Sequence, residues 1–358
     1  MPSLKEIKGR INSISSTLAI TSAMKMVAAA KLQKAQMAIQ NMLPYERRLH
    51  SMLLDLMGAM NISAAASEDG SVRGSGSAER GFDQSGDRLS LSNRHDLAGM
   101  DGAYSLMAQR EVRKVAIVAF ASNSSLCGAF NSNAIREATA VINEYRASGL
   151  RDSDIVVYSV GRKMAEAMRK LGFPSPADFT KMSDSPSYDA ASALAQELFD
   201  GFVSGRFDKV ELVYNHYKST SSQPTTRQTY LPLSLADATA DLQAGKITDP
   251  ASETDTNRVA EPVGAPVVRQ GSPTTEDLIV EPSKEALIAT LLPKVIRLRI
   301  FTTLLDSAAA EHAARTVAMQ LATDNGNDLL QELTLEYNKG RQQKITSEIL
   351  DLVGGSMQ

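Results

Sequence analysis

Tryptophan is absent from this chain, cysteine occurs once, and aromatic residues make up only 5% of it. The single thiol, Cys127, excludes an intrachain disulfide and sets a reducing compartment as the expectation. No window approaches the ~18 consecutive apolar residues that span a bilayer. The first residues lack both the apolar run of a signal peptide and the Arg/Ser-rich lead of a transit peptide, so a soluble chain used where it is made is expected. Charge of either sign is scarce in excess: the formal net charge is −3, which argues against a dedicated nucleic-acid binder.

Signatures of chemistry are equally sparse. There is no GxxxxGK[ST] phosphate loop. Gly74-Ser75-Gly76 begins a dinucleotide fingerprint, but Glu79 stands where a third glycine is required and no strand precedes it. The four histidines, His50, His95, His216 and His312, are far apart and lack metal-ligand spacing. Cys127, in SLCGAF, opens a helix after a predicted strand, a place that can activate a thiol. A small buried hydrophobe in a βα turn is the plainer reading. No catalytic, cofactor-binding or metal-ligating residue is assigned, and no cofactor is expected.

What the chain does have is length, 358 residues, and helix-favouring Ala, Leu, Met and Gln. The first sixty residues carry a heptad. One seam position reads Leu4, Ile11, Leu18, Lys25, Leu32, Ile39, Glu46, Leu53, and the other Ile7, Ile14, Thr21, Ala28, Ala35, Met42, Leu49, Leu56. Alternating spacings of three and four are the coiled-coil pattern. Ser3 with Glu6 forms a capping box at the start, and Pro44 is expected to kink or restart the helix.

Residues 111–216 alternate between short apolar runs and helical stretches. Val115–Ala121, Ile155–Val160 and Val210–Tyr217 read as strands, and Ala129–Ala147, Arg162–Leu171 and Tyr188–Val203 as helices, with Thr226–Leu233 a further strand. That rhythm predicts a parallel, doubly wound sheet. After Glu281-Pro282-Ser283 the pattern is helical almost to Gly354-Gly355, with Pro293 as an interruption near its start.

The fold class expected is therefore α/β: a long antiparallel coiled coil of N- and C-terminal helices with an inserted Rossmann-like parallel-sheet domain. The divisions are an N-terminal helix over 1–60, a flexible Gly/Ser-rich insertion over 61–108, an α/β domain over 109–235, an acidic low-complexity insertion over 236–276 and a C-terminal helix over 277–358. Seams this long need each other as cover, so the layout is a shaft carrying a knob.

Several positions on the helices stand out. Lys25 places an ammonium in the seam, flanked by Met24 and Met26 and followed by Ala28, Ala29 and Ala30. A thin helix with few projecting polar groups suits close approach by another body, where a permanent core favours interdigitating Leu and Ile. Ala308–Ala314 repeats the design, with Glu311 and Arg315 expected to project. Ile345, Ile349, Leu352 and Val353 form an apolar tip beside Arg341, Gln342 and Thr346, and a partner's socket is the expected cover. A competing reading is a nucleotide- or metabolite-binding α/β domain on a coiled-coil dimerisation arm.

These residues also resemble a known family. LKEIKGRINSI…ITSAMKMVAAAKL, LCGAFN, VYNHYKS…QPTTRQTYLPL, the EPS before the last helix, and AEHAARTVAMQLATDNGNDLLQELTLEYN resemble the gamma subunit of F-type ATP synthases. The resemblance covers both terminal helices and the α/β domain, and leaves out about 61–108 and 236–276. It implies a non-catalytic central rotor shaft of a proton-translocating complex. The shaft would turn inside three alpha–beta pairs while its α/β domain binds the epsilon-type subunit and the membrane c-ring, peripheral to the cytoplasmic side of a bacterial plasma membrane.

By motif, it also implies that Met24 and Lys25 face the beta lever loop, and that Glu311, Arg315, Arg341, Gln342 and Thr346 meet beta. The tip at Ile345, Ile349, Leu352 and Val353 would sit in the alpha–beta sleeve, and Glu281 would approach the c-ring. Ser122-Asn123-Ser124-Ser125 stands where the family carries an acidic-basic-glycine sequence.

Overall fold

In the computed structural model, residues 3–59, 106, 110–233 and 284–356 are described. The two insertions expected at 61–108 and 236–276 fall outside these residues, apart from Leu106. So do Gly74–Gly76, His95, Glu281 and the side chain of His50.

The first strand, β1 (Val115–Phe120), is buried along its whole length and sorts its side chains by twos. Val115, Ile117 and Ala119 join one core, and Ala116, Val118 and Phe120 join another. The first core is closed by α2 (Phe130–Ala147) and α3 (Arg162–Lys170), through Ala134, Ala138, Val141, Ile142, Met164 and Met168. The second is closed by α5 (Tyr188–Val203) and by the C-terminal helix α6 (Lys284–Ser356), whose Ile288, Leu292, Ile296 and Leu304 are buried there. Fully burying each large aliphatic chain contributes about 1.5–3 kcal/mol, so α6 serves the α/β domain as a layer of its own.

The sheet has four strands in the order β2-β1-β3-β4, with β2 at Ile155–Val160, β3 at Lys209–Asn215 and β4 at Thr225–Leu231. The α/β core is as expected, but the sheet is mixed. β1 pairs with β2 and β3 in parallel, and β4 returns antiparallel to β3. The physical reason is the short β3–β4 connection, which permits only an antiparallel return. A short helix, α4 (Thr180–Asp184), precedes α5.

The N-terminal helix α1 (Leu4–Ala59) packs along α6 as an antiparallel pair. The register runs in step: Leu4 meets Gly340, Leu18 meets Gly326, and Thr21 meets Thr323, whose hydroxyl donates to the Thr21 hydroxyl at 3.1 Å. Both seams show the heptad in their burial. Ile7, Ala28, Leu32, Leu49 and Leu53 are buried on α1, and Met319, Thr323, Gly326, Leu330, Leu333, Tyr337 and Gly340 are the covered positions on α6. Ser3 caps α1 by accepting from the Glu6 amide at 3.2 Å.

Neither proline ends its helix, contrary to the expected restart at Pro44 and interruption at Pro293. Both lie inside continuous helices. Covered neighbours, Met42, Leu43, Leu49 and Leu53 about Pro44 and Leu291, Leu292 and Val295 about Pro293, hold the chain helical across the missing donor.

Candidate functional site

Crevices outside the carboxyl ends of parallel strands, where the strand order reverses, are where open α/β sheets hold ligands. Here that place lies between β1 and β3, because the chain leaves β1 for β2 and returns across it to β3. It is filled by the protein's own shaft. Cys127 and Phe130, following β1, pack against Ala310 of α6, with Tyr217 and Ala314 around them. Asn215 at the end of β3 donates to the Phe130 carbonyl at 3.0 Å.

The alanines of AAAEHAA are therefore small for an internal reason. Ala308, Ala309, Ala310 and Ala313 are all buried, Ala309 and Ala313 against Leu32 of α1. A larger side chain at Ala310 would push the α/β domain off α6, and one at Ala309 or Ala313 would part the two helices. Cys127 is 1% exposed, receives Asn131 Nδ2 on its sulfur at 3.1 Å, and is the small buried hydrophobe of the plainer reading.

Beside this plug, polar side chains tie the domain to the shaft. Asp306 of α6 takes His216 Nδ1 at 2.6 Å and the Tyr217 amide at 2.9 Å. The Tyr217 hydroxyl in turn accepts Gln36 Nε2 of α1 at 2.7 Å. The Asp306 carboxylate holds the His216 imidazole above its ordinary range, against the opposing effect of burial. Sequence reading missed this group, although His216 and Tyr217 directly follow a strand and Asp306 lies on the covered side of a helix.

Glu311 and Arg315 need a correction. Glu311 does not project: it is 7% exposed and lies under the α/β domain. Arg315 Nη1 donates to it at 2.8 Å, and Arg315 Nη2 donates to Ser124 Oγ at 2.7 Å. Burial pushes the Glu311 carboxyl up, with Asp184 adding to the shift and Arg315 and Lys31 opposing it. The helix sequence alone gave no sign that the Ser122–Ser125 loop lands there. Next to it, His312 is pushed down to about 4 by burial and by the Arg315 and Lys31 charges, so it is neutral at ordinary pH.

The remaining positions lie apart from one another. Lys25 is half-buried at its seam position, with Met24 exposed beside it. Arg341, Gln342 and Thr346 are exposed, and Thr346 Oγ1 donates back to the Gln342 carbonyl at 2.9 Å. Ile345, Ile349, Leu352 and Val353 are each about half exposed or more. Because Leu4 faces Gly340, residues Arg341–Ser356 of α6 run past the start of α1, a single helix roughly 24 Å long.

Among the described residues there is no cluster of side chains able to hold a metal, and no helix long and apolar enough to cross a membrane. The knob's crevice at the strand ends is thus occupied by the rod itself, which takes from the competing nucleotide-binding reading the switch-point site it relies on.

Comparison with known proteins agrees. The family described as ATP synthase matches residues 3–357. The chain is similar to the ATP synthase gamma chain of Phocaeicola vulgatus, 47% identical over 357 residues and 100% of each chain. It is likewise 44% identical over 358 residues to that of Bacteroides thetaiotaomicron, again over 100% of each. In fold it resembles a chain in the cryo-EM structure of Euglena gracilis mitochondrial ATP synthase in rotational state 3. The TM-score is 0.52 at 18% identity, covering 99% of this chain and 93% of that one. The chain belongs to the ATP synthase family, among its gamma chains, and its part there is the non-catalytic rotor shaft.

Proposed function

We propose that this shaft turns within three alpha–beta pairs of a proton-translocating complex and meets them at separate heights. Nearest the free end of α6, the apolar residues Ile345, Ile349, Leu352 and Val353 seat in the alpha–beta sleeve, while Arg341, Gln342 and Thr346 engage beta. About 30 Å further along the rod, Met24 and Lys25 face a beta lever loop. Glu311 and Arg315 follow, acting on beta as a largely buried pair that holds the Ser124 loop against the shaft. At the other end the α/β domain takes the epsilon subunit, and Glu281 approaches the c-ring. The complex holds the chain peripherally on the cytoplasmic side of a bacterial plasma membrane.

The observation that carries this reading is the overhang. Every residue from Arg341 to Leu350 is exposed, and the stretch ends in large apolar side chains. Leaving several such groups in water is unfavourable by about 25 cal/mol per Å² of apolar area, so a partner surface is the natural cover. A ring encircling the tip drives catalysis only through contacts that differ between its states, which is why isolated polar groups on a thin rod are suited to the task.

The test is a photo-crosslinking residue at Ile349 in the assembled complex, with subunit stoichiometry measured in parallel. One copy of this chain per three alpha–beta pairs, with adducts to alpha and beta, is the expected result. Adducts only to a second copy of this chain, in a stable homodimer, would overturn it.

A further inference from the structure

The α/β domain is held to the shaft in two physically different ways. One is apolar: α6 lies across the sheet through Ile288, Leu292, Ile296 and Leu304. Such burial is strong but non-directional, so it resists separation better than it resists small rotations. The other is polar: single hydrogen bonds such as Arg315 to Ser124 and Tyr230 to the Ile296 carbonyl, and, at the end of β3, a group that engages both helices. There Asp306 grips two consecutive residues, His216 by its ring and Tyr217 by its main chain, and Tyr217 reaches across to Gln36 on the second helix. Charge-assisted hydrogen bonds are short and directional. This set joins the domain, α6 and α1 within one turn of helix.

We propose that Asp306 is the positioning residue of the torque path, setting the angle at which the α/β domain is locked onto the two-helix shaft. This rests on the rotor reading. Torque delivered to the domain enters the coiled coil at the end of β3, and the carboxylate converts a greasy contact into a keyed one.

The key is sensitive to protons. His216 lies beside a cleft of about 260 Å³ between the shaft and β3–β4. It faces Asp306 from α6, with Lys218 following on its own segment, and Glu46 of α1 and Arg299 of α6 line the same cleft. Because Asp306 favours the charged imidazole, the ion pair is favoured on the acid side of the His216 titration, as long as Asp306 keeps its charge. It weakens as pH rises through the elevated folded value of His216.

The experiment uses the complete complex, fixed by its ring, with a bead on the α/β domain and its angular fluctuation recorded during catalytic pauses. In the wild type the variance is expected to grow roughly twofold from about pH 6 to about pH 9, the range spanning the imidazole titration. Asp306→Asn should show the wide distribution at both ends, and His216→Lys, which keeps its charge, the narrow one at both. A merely structural role would lower complex stability without changing the width of intact, rotating complexes. Equal widths for the wild type, Asp306→Asn and His216→Lys at every pH would overturn the proposal while rotation stands. A wild-type complex whose bead never rotates would instead sink the rotor reading.

Discussion

Replacing Arg315 by alanine tests the most highly charged contact under the α/β domain. Glu311 is 7% exposed, and the hydrogen bond from Arg315 is what neutralises it, with Lys31 helping from α1. The space beside it, bounded by Ser183, Ser307 and Leu304, is about 10 Å³, room for one water at most. Without Arg315 the carboxylate is left facing the Asp184 charge, and it escapes by taking up a proton. Moving a carboxyl from its ordinary value of about 4.3 to beyond neutrality costs about 4 kcal/mol at pH 7, which caps the loss. That ceiling and the lost bond to Ser124, about 1 kcal/mol, put the expected loss on the order of 3 kcal/mol.

The pH dependence has a definite sign. A carboxyl raised in the folded state keeps a proton that the unfolded chain has released, so stability falls as pH rises through the unfolded value and levels off above the folded one. Removing Arg315 extends that fall upward. The deficit of Arg315→Ala should be about 3 kcal/mol at pH 8 and shrink to about 1 kcal/mol at pH 5, read by urea unfolding with far-UV circular dichroism. Arg315→Lys should recover most of it. A loss below about 0.5 kcal/mol, or one equal at both pH values, would refute the reasoning.

Three other outcomes follow from the same structure. Gly161→Ala should destabilise the α/β domain by more than about 3 kcal/mol, because Gly161 has φ +99° and an added Cβ would lie 2.0 Å from the Ala121 carbonyl oxygen; an unchanged melting temperature would contradict this. Lys25→Ala should leave the melting of the purified chain within about 0.5 kcal/mol but reduce ATP-driven proton pumping by the reconstituted complex, and unaltered pumping would remove Lys25 from the contact set. Deleting Ile345 onward should preserve the domain's near-ultraviolet dichroism while lowering assembly or torque, since these residues are exposed and lie beyond the two-helix seam; global unfolding would mean that the tip is internal core.

The sequence was most legible where one element explains itself. The α1 heptad appears directly in the burial of Ile7, Ala28, Leu32 and Leu49, and β1 reads as a doubly covered strand because both its faces are apolar. The direction of β4 was not legible, since pairing depends on the short connection and not on strand composition. Glu311 misled for a related reason. An acid among alanines looks like a projection until a loop 187 residues earlier in the chain, at Ser124, is found to close over its partner. Asp306 carried no local signal either, because its meaning depends on His216 and Tyr217 arriving from β3.

The overhang has a consequence for elasticity. Over most of its length the shaft is a doubled rod, two helices wide and braced by the α/β domain, and resistance to bending and twisting rises steeply with the thickness of a rod. Past Gly340 the section drops to one helix for roughly 24 Å. Strain applied along the whole molecule therefore gathers in Arg341–Ser356, the most compliant stretch of the rod. If the tip is held by a surrounding ring, this stretch acts as a torsion spring, storing twist between the steps of a motor that advances unevenly.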